Sequence, residues 1–120
     1  MNNLSERRVR YLNDPLPIRL GGLAANLARV RSFSKDPGNS VATFELFEES
    51  KFFIEWTAAD AEIETAEQLV GLQIQIAVWQ RNWDSLWRDE ASRAEMAGAA
   101  FDWSNRVIAG SGLLELSSSV

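Results

Sequence analysis

Apolar residues recur along most of this chain at intervals of three and four, the spacing that lines one face of a helix. Leu16, Leu20, Leu23, Leu27 and Val30 form the first such stripe. Breakers cluster at residues 13–17, 36–40 and 110–112 and divide the pattern. Asp14 followed by Pro15 reads as a helix start, because a carboxylate accepts from free first-turn amides and proline suits the first position. Pro17 is tolerated there, since first-turn N–H groups have no intrahelical partner. Gly21 and Gly22 disfavour this helix by roughly 1 kcal/mol each. The pair predicts a close-packed neighbouring backbone or a kink.

Asp36–Pro37 repeats the start signal and opens a second helix reaching about Ala58. This helix is apolar on two sides. Phe44, Phe47 and Ile54 project one way; Leu46, Phe52, Phe53 and Trp56 project another, with glutamates and Lys51 between. A third helix begins near Asp60 or at the capping-box pattern Thr65–Gln68 and runs to about Asp89. Its main stripe is Leu69, Leu72, Ile76, Trp79, Trp83 and Leu86, with a lesser one of Val70, Ile74, Ala77 and Val78 on the other flank. Ser92 and Glu95 form a second capping-box pattern and open a fourth helix carrying Met96, Ala100, Trp103 and Val107. The predicted fold is all-α, an antiparallel bundle of four main helices over residues 15–114. Residues 1–14 form a basic arm or a short helix over 4–12, and 115–120 a disordered, serine-rich tail. Leu23, Leu27, Phe47, Ile54, Leu72, Ile76, Trp79, Trp83, Ala100 and Trp103 are the expected core.

Composition narrows the chemistry. The 120 residues include no histidine and no cysteine. Disulfides, thiolate nucleophiles and Cys- or His-based metal sites are therefore excluded, as is the commonest general base. The carboxylates Glu45, Glu48, Glu49 and Glu55, and Glu62, Glu64 and Glu67, read as solvated faces, because no calcium-loop motif gathers their oxygens. Ser85 and Ser104 lack a histidine partner, and neither Lys35 nor Lys51 sits in a Ser–Lys motif. No catalytic, cofactor or metal residue is assigned.

Charge is split along the chain. Up to Lys35, seven basic residues stand against Glu6 and Asp14, net +5; beyond it, five stand against fifteen acidic residues, net −10. Pairing between neighbouring helices accounts for this division better than polyanion binding. Arg7, Arg8, Arg10, Arg29 and Arg31 have no helix-turn-helix or phosphate-loop context, which disfavours nucleic acid. The apolar runs fall short of the roughly 20 residues of a membrane helix, and the opening residues lack a secretory apolar region. A cytoplasmic protein without membrane partner is expected.

Gly22-Leu-Ala-Ala-Asn-Leu-Ala-Arg-Val-Arg-Ser-Phe33 and Glu49-Ser-Lys-Phe-Phe-Ile-Glu-Trp56 resemble stretches of short all-helical proteins of cyanobacterial genomes, and the similarity extends through residues 79–87. The resemblance implies a bacterial cytoplasmic helical domain; it assigns no activity and transfers no site residue. The residues favour a non-catalytic interaction domain, a homodimer or the companion of a helical protein, with Leu46, Phe52, Phe53 and Trp56 as its contact strip. The alternative is a small-ligand-binding bundle with a cleft of Gln73, Trp79, Gln80, Trp83 and Trp87.

Overall fold

The computed structural model describes residues 3–112. Of these, 90% are helical and none lies in a strand, so the chain is all-α. Among the described residues there are six α-helices, more than the spacing of apolar residues predicts: α1 (Asn3–Asn13), α2 (Leu16–Phe33), α3 (Ser40–Thr57), α4 (Ile63–Arg81), α5 (Trp83–Arg88) and α6 (Glu90–Gly110). Single 3-10 turns, Pro37–Asn39 and Ala58–Asp60, flank α3. The basic arm is helical as α1. The expected tail at 115–120 lies outside the described residues, as do the last two residues of the expected 15–114 unit.

The extra helix arises at Asn82, where the predicted long third helix breaks. The Asn82 amide bonds the Trp79 carbonyl at 3.2 Å, and its Nδ2 donates to the Val78 carbonyl at 3.0 Å. Such local side-chain bonds compete with continued helix. The chain restarts as α5, which brings Trp83 against Phe44 and Phe47, with ring centroids 5.5 and 5.9 Å away.

The helix starts also differ from the sequence signals. The Asp14 carboxylate accepts no capping hydrogen bond from α2; its backbone carbonyl accepts from Arg19 Nε at 3.1 Å. Asp36 accepts from the Gly38 amide at 2.8 Å and so nucleates a 3-10 turn, after which α3 begins. Neither capping box forms. The first turn of α4 starts at Ile63, and α6 is capped by Asp89, whose carboxylate accepts from the Ser92 amide at 3.0 Å.

α2 lies at the centre, packed most extensively on α6 and α3, while α4 rests on α3 and α6 and α1 packs on α3. Small residues, Ala24 on α2 and Ala97, Ala100 and Ser104 on α6, are buried where the helices pack, and Ser104 Oγ donates to the Ala24 carbonyl at 2.7 Å. α2 runs through the glycine pair as one continuous helix. A Cβ at Gly22 would lie 4.0 Å from Tyr11 Cε1, an ordinary contact, so the neighbour is an aromatic ring of α1 rather than another backbone. Of the expected core, Leu23, Leu27, Phe47, Ile54, Leu72, Ile76, Trp79, Trp83 and Ala100 are buried. Trp103 is half-buried, with the Arg106 guanidinium 4.0 Å from its ring centroid.

Candidate functional site

Part of the second apolar strip of α3, Phe53 and Trp56, is the seat of α1. Tyr11 stacks on Phe53 with centroids 4.1 Å apart and lies 5.8 Å from Trp56, which itself stacks with Phe52 at 5.6 Å. Leu46 and Phe53 also pack against the core. The Tyr11 hydroxyl donates to the Arg19 carbonyl at 2.7 Å and accepts from Thr57 Oγ1 at 3.3 Å. Burial pushes its phenol up from 10.0 to about 12, against the opposing hydrogen bond from Thr57. Polar groups complete the clamp. Arg7 pairs with Glu49, Glu49 accepts from Asn26 Nδ2 at 2.9 Å, and Arg29 Nη1 donates to Asn26 Oδ1 at 3.0 Å. Arg19, itself buried, bonds Asp60 at 3.0 Å. The basic first segment thus meets the acidic remainder within one molecule. Leu46, Phe52, Phe53 and Trp56 are all half-buried, not bare.

The Trp/Gln set is divided between surfaces. Trp79, Trp83 and Trp87 are buried. Trp83 and Trp87 stack at 5.3 Å, and their indole N–H groups donate to Ser40 Oγ at 3.1 Å and to the Pro37 carbonyl at 2.8 Å. Those donors are spent on holding the α2–α3 connection. Gln80 Nε2 donates to Glu48 Oε1 at 2.9 Å, and Glu48 also pairs with Lys51 at 3.0 Å. Gln80 and Trp83 line one shallow groove of about 450 Å³, with Phe44, Arg81 and Arg88. Trp79 lines a different one of about 500 Å³, with Gln75, Leu86, Ser92, Glu95 and Met96. Gln73 is half-buried and lines neither. The five residues therefore do not converge on one cleft. Near the α2 C-terminus, Arg31 lies 4.3 Å from the Phe101 ring centroid, and Arg93 bonds the Ser34 and Trp87 carbonyls at 3.2 and 2.7 Å.

The bare apolar surface is elsewhere, on α4. Ile63, Val70, Ile74 and Val78 are 76%, 48%, 61% and 48% exposed. Scattered surface aliphatics are ordinary, but these four share one face. At 100° per residue they fall within about 40° of Ile74, and the buried Leu69, Leu72, Ile76 and Trp79 lie on the opposite side. Glu67 and Arg81, both exposed, sit on the same face seven residues either side of Ile74. Among the described residues neither has an ion-pair partner. Trp103 of α6 borders the strip: a Cβ at Gly71 would lie 3.6 Å from its ring.

No described helix is long and apolar enough to cross a membrane. Comparison with protein-family models, with curated proteins and with solved structures finds no match to this chain.

Proposed function

We propose that this chain is a non-catalytic protein-interaction domain of the cytoplasm, and that its contact surface is the outer face of α4. The observation that carries this reading is the set of four large aliphatic side chains exposed along one face of a helix whose opposite face is already in the core. A helix needs one apolar stripe to pack in its own domain. The second is unnecessary for folding, and contiguous bare apolar surface favours association. The half-buried Trp103 at its border adds the residue type most often found at the energetic centre of interfaces. The strip on α3 supports a different role, that of holding α1 to the body. Short connections from α2 to α3 and from α3 to α4, with α6 packed along α2, support an antiparallel four-helix bundle as the scaffold, with α1 and α5 as additions.

The test is the native mass of the protein in a concentrated, undiluted extract of its source cells, for wild type and for a Val70→Ser, Ile74→Gln, Val78→Ser variant. Wild type is expected above the mass of one chain and the variant at it, with equal circular dichroism. Both species at the mass of one chain, or both equally above it, would overturn the reading.

A further inference from the structure

We infer that the partner on the α4 face is a second copy of this chain, docked antiparallel about a two-fold axis through Ile74. The inference rests on the reading of α4 as the contact face and goes beyond it to the occupant and its register. The face is its own complement. Within seven positions of Ile74 the exposed residues on this face are Glu67, Val70, Ile74, Val78 and Arg81, at offsets of seven, four, zero, four and seven, and Ile63, eleven positions away, lies outside the matched set. A two-fold axis at the centre reverses the order on the second helix. Ile74 then meets Ile74, Val70 meets Val78 on both sides, and Glu67 meets Arg81 on both sides.

Charge selects this arrangement over its main rival. A parallel pairing in the same register sets Glu67 against Glu67 and Arg81 against Arg81; the antiparallel one turns both contacts into opposite-charge pairs. Residues seven from the axis are about 10 Å along the helix. A shallow crossing of about 20°, the usual angle of long helix pairs, keeps them within reach of Glu and Arg side chains. The same patch on both partners is what a closed two-fold dimer requires.

The size of the strip sets the strength. From residue 67 to 81 the matched part runs about 21 Å at one helix width, which with the Trp103 border stays below the ~800 Å² per partner of a standard interface. The expected dimer is therefore of micromolar strength, populated at high local concentration and dissociated on dilution.

Sedimentation velocity on the purified full chain, from about 1 to 200 µM, brackets a micromolar Kd. Wild type should shift from one chain to two across this range. Ile74→Glu, which puts two carboxylates on the axis, should stay at one chain with unchanged circular dichroism, since position 74 is on the surface. Glu67→Arg and Arg81→Glu should each weaken the dimer about tenfold, from two like-charge contacts replacing two modest ion pairs, and the combined variant should recover wild-type affinity. Wild type that remains one chain at 200 µM overturns the second copy; if its native mass in extract is nonetheless raised, the α4 face stands with a different partner. A dimer in which the combined variant is no stronger than the single ones overturns the antiparallel register.

Discussion

Removing the Tyr11 hydroxyl tests how firmly α1 is held, and the chain's single tyrosine makes the test unusually direct. Tyr11→Phe keeps the ring on Phe53 and deletes two hydrogen bonds, one to the Arg19 carbonyl and one from the buried Thr57. A net contribution of about 1 kcal/mol for such bonds, with the Thr57 hydroxyl losing a partner, gives a loss of about 1–2 kcal/mol in a urea denaturation. Tyr11→Ala also removes the stacked ring, for a total near 3 kcal/mol, at the low end of the range for a buried aromatic because Tyr11 is half-buried. The pH dependence follows from the raised phenol. A folded pKa above the unfolded 10.0 contributes stability that is fully present below pH 10 and is lost as pH rises through about 12. A shift of this size is worth up to ~2.7 kcal/mol, and solvent access to the ring reduces it to about 1–2 kcal/mol. Tyrosinate absorbance reads the group itself, and the difference in stability between wild type and Tyr11→Phe should shrink between pH 10 and 12. Ordinary titration at pH 10 together with a constant stability difference would refute the docking of α1 on α3.

Three further outcomes follow from the same packing. Ile76→Ala, at a fully buried position between α4 and the core, should destabilise by about 2–5 kcal/mol in a denaturant titration, since it leaves a cavity. Gly98→Ala should raise stability by roughly 0.5–1 kcal/mol, because the residue is inside α6 and a Cβ there meets nothing within 4 Å; the thermal midpoint should rise. Asp89→Ala should lower the thermal midpoint at neutral pH by uncapping α6. The Ser92 hydroxyl and amide hold the Asp89 carboxyl below its ordinary 3.8. Its contribution is therefore present above that value and lost as pH falls through the lowered one, so the gap between wild type and variant should narrow in acid.

Periodicity made the all-α class and the core faces legible, because each main stripe of Leu, Ile and Trp has only one way to leave water. Which second stripe would be covered was not legible. The sequence offers two candidates, the aromatic strip of α3 and the aliphatic flank of α4, and hydrophobicity favours the aromatic one. The outcome turns on α1, whose Tyr11 reaches Phe53 while Arg7 reaches Glu49 across 42 residues of sequence. Such pairings depend on tertiary placement that spacing does not contain. The same limit applies at Asn82. Leu69, Leu72, Ile76, Trp79, Trp83 and Leu86 keep helical spacing through the break, so the pattern reads as one helix. An asparagine that bonds its own preceding turn was the available signal. Cap signals were similarly ambiguous, since Asp36 caps a single 3-10 turn with the chemistry that would serve an α-helix.

The central claim, that the outer face of α4 pairs two copies about Ile74, is tested most directly by placing one cysteine in a chain that has none. Ile74→Cys puts the two thiols beside the axis, within the short separation a disulfide demands. Ile63→Cys is the control: it is more exposed, at 76% against 61%, but eleven residues from the axis, so the two copies of it stand roughly 33 Å apart. Under mild oxidation at high protein concentration, Ile74→Cys should form a covalent dimer rapidly and Ile63→Cys should not. Cross-linking that follows exposure instead, with Ile63→Cys equal to or faster than Ile74→Cys, would contradict the account.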